Sequence, residues 1–184
     1  METTDKQLVE EFLNGNDLAF ERLLKKHLKP LYNFLYQLTG DSLVAEDLTQ
    51  ITFVKSWKNL RRYDNSKNFK VWIFAIAKNT AYDYFKKKKT IPFSSFIDGE
   101  GNNKLENISD KNILPDEILN RKNIAEELEK KLQELPEHYR LVLTLHYKEG
   151  FSLSEISEIL KISCNTAKSQ HLRGLMKLKK LLEK

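Results

Sequence analysis

Apolar side chains recur three and four positions apart along most of the chain. That is the period of an amphipathic helix, not of a strand. A first short helix is expected over about residues 5–14, stopped at Asn14-Gly15. Asp17 reads as the cap of a longer helix whose apolar positions include Leu18, Phe20, Leu23, Leu24, Leu28, Leu31, Phe34, Leu35 and Leu38. Pro30 falls inside this run and is expected to kink or split it, and Thr39-Gly40 to end it. Ser42 is the expected cap of the next helix, with Leu43, Val44, Leu48, Ile51, Val54 and Trp57 as its apolar positions. Residues 61–68 lack the period and read as a loop. Asn68 can start a further long helix, from about Phe69 to Lys88, which is aromatic early and ends in consecutive lysines.

The period disappears over residues 90–117, where Pro, Gly, Ser and Asn collect. Such a composition reads as a flexible linker; its few apolar residues, Phe93, Phe96 and Ile97, could dock on a partner. Helical spacing returns from about Ile118 to Leu135. Pro136 then suits the first turn of a helix over about 137–148, which carries Tyr139, Val142, Leu143 and Leu145 and ends at Gly150. Ser152 and Glu155 have the spacing of a capping box. They open a helix of about two turns, followed by the turn Lys161-Ile162-Ser163 and a basic helix to about Leu182. The expected fold is all-α: two small helical domains, residues 1–90 and 118–184, joined by a flexible linker at 91–117, the C-terminal one containing a helix-turn-helix.

Composition removes most chemistry. One Cys among 184 residues excludes a disulfide framework or thiolate metal cluster, and the four His have no metal-ligand spacing. Cys164 reads as structural. No phosphate-binding loop, dinucleotide glycine pattern or carboxylate pair is present, so neither catalysis, metal nor cofactor is expected. No apolar run is long enough to cross a membrane, and the polar start has no signal-peptide core, so a cytoplasmic protein without membrane insertion is expected. The net charge of +5 is unevenly spread. Residues 60–90 hold nine basic and two acidic side chains, and residues 161–184 seven basic ones against Glu183 alone. Basic blocks of this kind can neutralise phosphates.

The two basic blocks differ in what surrounds the charge. In the helix-turn-helix, Leu153, Ile156, Ile159, Leu160, Ile162 and Ala167 supply the packing, while Asn165, Lys168, Ser169, Gln170 and Arg173 point outward. Asn and Gln can pair with adenine; Arg and Lys prefer guanine or phosphate. The N–H groups near Asn165 and Thr166 can hold a phosphate. In the earlier block Arg61, Arg62, Tyr63, Lys67, Lys70, Trp72, Lys78 and Tyr82 combine cations with rings, the pairing that single-stranded DNA needs. Tyr63 is expected to be the open ring and Trp72 to lie in the core. Between the N-terminal helices and this block, residues 43–58 place carboxylates beside Phe53 and Trp57, which suits a protein partner.

These segments together resemble the extracytoplasmic-function, or group IV, sigma factors of bacterial RNA polymerase, over about residues 18–182. AEDLTQITFVKSWKNL (45–60) resembles the segment that grips the polymerase clamp helices, which implies core-polymerase binding by Glu46, Asp47, Leu48, Gln50, Phe53 and Trp57. FKVWIFAIAKNTAYDYFKKKK (69–89) resembles the promoter-melting and −10-reading segment, with Trp72, Ile76, Ala77, Asn79 and Asp83 as matches. Arg61, Arg62, Tyr63, Lys67, Lys70, Lys78, Asn79, Tyr82, Lys86 and Lys87 are then expected on the −10 single strand. The last domain resembles the −35-reading module, which places Asn165, Thr166, Lys168, Ser169, Gln170, Arg173 and Lys177 on duplex DNA. Core polymerase, promoter DNA and an anti-sigma factor are the partners this resemblance implies, with no enzymatic activity. The chain departs from the family at Lys161 and Asn165, where Gly is usual. Gln170 and Leu175 stand at two Arg positions, and lysines replace an Arg pair after Asp83. A helix-turn-helix regulator that never joins polymerase is the alternative; it leaves residues 45–60 unexplained.

Overall fold

The computed structural model describes residues 4–90 and 127–183. The expected linker and the first half of the helix expected over 118–135 lie outside the described residues. Among the described residues all regular structure is helical. The N-terminal unit consists of α1 (Asp5–Leu13), α2 (Asp17–Thr39), α3 (Ser42–Asn59), a short 3₁₀ turn (Leu60–Arg62) and α4 (Phe69–Thr90). The C-terminal unit consists of α5 (described over residues 127–133), α6 (Glu137–Leu143), α7 (Leu153–Leu160) and α8 (Cys164–Leu182).

The helix ends follow from local chemistry, with two shifts from expectation. Asn16, not Asp17, takes the cap position of α2, and Asp17 is its first helical residue. Asp41, not Ser42, caps α3: its Oδ1 accepts from the Leu43 and Val44 N–H groups at 2.9 and 3.2 Å. A carboxylate at this end also meets the positive pole of the helix, an advantage that serine lacks. Pro30 does not split α2, which runs through it as one helix. The missing N–H costs one intrahelical bond, but Leu23, Leu31, Phe34 and Leu35 on the same helix are fully buried and hold both halves to the core.

One buried polar contact fixes the entry of the chain. His27, 3% exposed on α2, donates from Nε2 to Asp5 Oδ2 at 2.9 Å, and Lys26 Nζ lies 2.7 Å from Asp5 Oδ1. Burial pushes the Asp5 carboxyl up, but the hydrogen bonds and charges of His27 and Lys26 overrule it and hold the pKa at about 2.

In the C-terminal unit, α6 continues into a wide π turn over Thr144–Lys148, closed by Glu149 N–H to the Thr144 carbonyl at 3.2 Å. Gly150 reverses the chain with φ +74°. The capping box forms: Ser152 Oγ accepts from Glu155 N–H at 3.2 Å, and Glu155 Oε2 accepts from Ser152 N–H at 2.9 Å. Lys161 adopts φ 55°, the left-handed conformation that the α7–α8 turn requires. Gly174 lies where α8 crosses α6; a Cβ there would sit 3.3 Å from Leu143 Cγ and Tyr139 Cβ. Leu132, Leu135 and Leu143 form a small core with Leu175, Leu178 and Leu181.

The two units do not stand apart. α4 packs on α7, and buried side chains of both units form one continuous cluster. Phe34 of α2 meets Phe74 of α4 at 5.2 Å between ring centroids, and Phe74 meets Phe151 edge-on at 5.0 Å. Around this axis Gln133 Nε2 donates to Gln37 Oε1 at 2.9 Å, and Gln37 donates to Glu129.

Two outcomes are expected. A carboxyl whose pKa is lowered on folding stabilises the native state above its unfolded pKa, and that contribution disappears as pH falls through the folded value. The melting-temperature deficit of Asp5→Asn, followed by circular dichroism, should therefore be largest above about pH 4 and vanish toward pH 2. Gly174→Val should lower stability by about 1–3 kcal/mol in a denaturant titration, because the crossing has no room for a branched side chain.

Candidate nucleic-acid interface

Three surfaces carry the residues singled out in the sequence. The first is α3. Its apolar residues lie all around the helix, so spacing does not separate core from surface. Ala45, Leu48, Thr49, Thr52, Phe53 and Ser56 face inward. Leu43, Ile51, Val54 and Trp57 are exposed, Leu43 by 73% and Trp57 by 53%. Leu43, Asp47, Gln50, Val54 and Trp57 are spaced by four, three, four and three, with Glu46 beside them. This is the seam that one helix offers another. Glu46, Asp47, Gln50 and Trp57 thus share an open face. Leu48 and Phe53, expected on a partner, are buried at 2% and 9% exposure and instead anchor α3 to its own bundle. Leu43 and Val54, read from the sequence only as apolar positions of the helix, belong to the open face; their four-three spacing with Asp47, Gln50 and Trp57 is the signal that could have located them.

The second surface is the loop after α3 together with α4. Arg61, Arg62 and Lys67 are exposed. Tyr63 is not the open ring expected: it is 8% exposed, set edge-on to Phe69 at 5.7 Å and 4.9 Å from Trp72. Its hydroxyl donates to the Lys67 carbonyl and so closes the loop on itself. Burial, with Asp5 and Asp64 nearby, pushes its pKa up to about 12. Trp72 is half-buried against the same rings but keeps one side on a cleft with Lys67 and Ala75.

The candidate residues of α4 are divided between two sides. Asn79, Tyr82, Lys86 and Lys87 face outward or are half-buried. Lys86 and Lys87, with Lys55 and Asp83, line a groove of about 490 Å³ between α3 and α4. Lys55 Nζ bonds Asp83 Oδ2 at 3.2 Å across that groove. Lys70 and Lys78 turn toward the C-terminal unit. Lys70 is half-buried, 3.5 Å from Glu149 Oε2. Lys78, expected on DNA, is 6% exposed, and its ammonium lies 4.7 Å over the Tyr82 ring. Burial and the nearby charge of Lys161 lower its pKa. Tyr82 remains 42% exposed with one face taken by that cation.

The third surface is α8. Ser163 Oγ accepts from Thr166 N–H at 3.0 Å and starts the helix. Asn165, Lys168, Arg173 and Lys177 are exposed; Thr166, Ser169 and Gln170 are half-buried. Ser169 Oγ donates to the Thr166 carbonyl, and Lys177 Nζ lies 5.3 Å over the Tyr139 ring. Ala167 and Gly174 face inward, which brings α8 onto α7 and α6. The same outer face carries Leu172 and Met176, 60% and 57% exposed, which the sequence reading left aside. An apolar side chain among polar ones on a groove-reading helix can meet a thymine methyl. No cluster of His, Cys, Asp or Glu among the described residues could hold a metal, and no described helix is long and apolar enough to cross a membrane.

The chain is similar to known proteins over nearly its whole length. Residues 23–91 match the family described as Sigma-70 region 2, and residues 125–178 the family described as Sigma-70, region 4. The ECF RNA polymerase sigma factor SigM of Bacillus subtilis is 31% identical over 166 residues, spanning 89% of this chain and 95% of that one. SigW of the same organism is 29% identical over 184 residues, with 99% and 98% covered. A sigma factor RpoE solved in complex with the anti-sigma factor NepR from Bartonella quintana superposes with a TM-score of 0.69 at 25% identity, covering 89% of this chain and 96% of that one. CnrH, solved with the cytosolic domain of CnrY, shares the fold with a TM-score of 0.68 at 23% identity, with 97% of each chain covered. A two-part helical protein with a helix-turn-helix at its end and an open seam on α3 is thereby defined as a transcription factor of the sigma-70 type. The chain belongs to the extracytoplasmic-function sigma factors of bacterial RNA polymerase. Such a subunit directs core polymerase to specific promoters and assists in opening them.

The buried position of Tyr63 gives a test. Tyr63→Phe keeps the ring in the cluster and loses only the bond to the Lys67 carbonyl, so it should cost about 1 kcal/mol in denaturant unfolding. Affinity for single-stranded DNA should change little, whereas a stacking ring would show its loss on Tyr63→Ala even at matched stability.

Proposed function

We propose that the three surfaces divide the work of promoter recognition. The α3 seam of Leu43, Glu46, Asp47, Gln50, Val54 and Trp57 docks on a helix of core polymerase. Arg61, Arg62, Lys67, Asn79, Tyr82, Lys86 and Lys87 hold the −10 single strand, cations on phosphates and the Tyr82 ring beneath a base. Lys70 and Lys78 join them when the second unit moves away. Asn165, Thr166, Lys168, Ser169, Gln170, Arg173 and Lys177 seat α8 in the −35 major groove. The observation that carries this reading is the open, heptad-spaced seam on α3, on a different helix from both DNA-facing sets. A regulator acting without polymerase has no use for it.

Promoter opening then needs no hydrolysis. Binding energy that favours an unpaired, stacked base over a paired one offsets the cost of a few kcal/mol for extruding it. The protein acts in the cytoplasm, where polymerase is, and has no catalytic step of its own. Relatives solved with anti-sigma proteins support a regulatory partner of that class for this chain. Lys in place of rigid Arg forks after Asp83 gives phosphate contacts that are mobile point charges, so position is held more firmly than base identity.

The reading is tested by reconstituting the chain with core polymerase on a promoter library and mapping transcript starts. Defined starts above those of core alone are expected; their absence would remove the proposal. Trp57→Ala and Asp47→Arg should each weaken core binding roughly ten-fold or more in a pull-down or fluorescence titration. Both side chains are exposed, so melting temperature should stay within a degree or two of the parent.

A further inference from the structure

The loop that carries Arg61, Arg62 and Lys67 is held at its base by the enclosed Tyr63 ring, which packs against Phe69 and Trp72 of α4. Bonds within the loop shape its turn. Asp64 Oδ1 accepts from the Ser66 N–H at 3.0 Å and from the Ser66 hydroxyl at 2.7 Å, and the Lys67 N–H donates to the Asp64 carbonyl at 3.0 Å. The side chain of Asn65, in the turn at the tip, takes part in none of these. It crosses instead to α1, where Asn65 Nδ2 donates to Glu10 Oε1 at 3.0 Å. Asn65 Oδ1 is enclosed with no partner among the described residues, so the bond to Glu10 is what orients the amide and sets the tip. Glu10 itself stands on a fixed support. Leu8, Val9 and Phe12 of α1 are buried, the Thr4–Gln7 capping box closes its first turn, and Asp5 is tied to His27 of α2. α1 lies wholly before residue 23, where the match to Sigma-70 region 2 begins, and carries none of the residues assigned above to polymerase or DNA.

By charge alone Glu10 would be a hindrance, because a carboxylate beside cations that hold phosphates repels the strand they bind. Its geometry acts the other way. A loop already set in its bound shape need not be ordered at the moment of binding, which removes that entropic cost from the affinity. Resting on the −10 reading above, we propose that Glu10 is a positioning residue for the −10 strand: through Asn65 it braces the 61–68 loop on α1, so that Arg61, Arg62 and Lys67 are presented in a fixed arrangement. Glu10 touches no nucleotide. Its carboxylate serves as a hydrogen-bond acceptor for the loop, and the acceptor outweighs the charge.

Glu10→Ala removes the acceptor, whereas Glu10→Gln keeps it and removes the charge. Two measurements on the full-length chain separate these effects. In the free protein, trypsin cleavage after Arg61, Arg62 and Lys67, followed by mass spectrometry, reports how often the loop opens. It should rise about five-fold in Glu10→Ala and stay at the parent rate in Glu10→Gln. In holoenzyme with core polymerase, the probe is the single-stranded −10 segment of a start mapped on the promoter library, with a scrambled strand as reference. Glu10→Ala should bind it about five-fold more weakly, the loss when the loop is competent only about a fifth of the time. Glu10→Gln should bind it at least as tightly as the parent. Asn65→Ala should match Glu10→Ala, and the double variant should be no weaker than either, because both remove the same bond. Affinity for a −35 duplex and the melting temperature should stay at the parent values throughout. Equal cleavage of parent and Glu10→Ala, a Glu10→Ala chain that holds the strand as tightly as the parent, or a Glu10→Gln chain as weak as Glu10→Ala would each overturn the brace. Faster cleavage in Glu10→Ala, with a parent holoenzyme that does not prefer the −10 strand to the scrambled one, refutes the −10 reading, as an empty library does, and leaves the contact between α1 and the loop standing.

Discussion

The structure depends on one helix having to satisfy three surroundings at once. One side of α4 completes the bundle with α2 and α3 through Phe69, Ile73, Ala77 and Ala81, all essentially buried. A second side, at Phe74 and Lys70, meets the C-terminal unit. The remaining side carries Asn79, Asp83 and Lys86, with Asp83 bonded to Lys55 of α3. A helix apolar on most of its circumference belongs inside a protein, and α4 can keep a working face only because lysines and Asn interrupt its apolar residues. The fold is arranged around this compromise: α3 packs along one side of α4 and keeps Leu43, Asp47, Gln50, Val54 and Trp57 exposed, while the Tyr63 hydroxyl closes the loop over 61–68 on itself.

Sequence periodicity was enough for the helices and for the helix-turn-helix, because caps and turn residues act locally. Ser152 and Glu155, Ser163, Gly40 and Gly150 do in the structure what their spacing foretells. Periodicity fails where a helix has no single apolar face. Leu48 and Val54 look alike along α3; only the positions of α2 and α4 make one core and the other surface. Tyr63 illustrates a second limit. A ring among cations in a loop has the composition of a nucleic-acid contact, yet His27, Phe69 and Trp72 come from two other helices to enclose the space it fills. Lys78 is the third case: it is buried at 6% exposure with its ammonium over the Tyr82 ring, which its place among exposed cations does not foretell. The seam residues Leu43, Asp47, Gln50, Val54 and Trp57 were legible in principle, since their spacing is a property of the sequence alone.

The electrostatics divide in the same way. Contacts on the outer surfaces, such as Lys55 with Asp83 or Lys179 with Glu183, join exposed groups that water screens; pairs of this kind contribute little to stability and are easily exchanged for phosphates. Asp5 with His27 and Lys26 is different, because His27 is enclosed and the carboxylate accepts from it while pairing with the Lys26 ammonium. It ties α1 down on α2 next to the aromatic cluster that holds the 61–68 loop, and α1 also meets that loop directly, where Asn65 donates to Glu10 at 3.0 Å.

The π turn at Thr144–Lys148 has an effect that reaches the end of the chain. One extra residue in a turn rotates everything after it by roughly a quarter of a circle relative to an uninterrupted α-helix. Here the rotation sends His146 toward the Phe151 carbonyl and Tyr147 against His171 on α8. Removing a single residue there would keep the helix and its hydrophobicity intact, yet would swing the following segment and aim α8 along a different line. The bearing of α8 is thus set within its own unit, by the pitch of the helix it packs against.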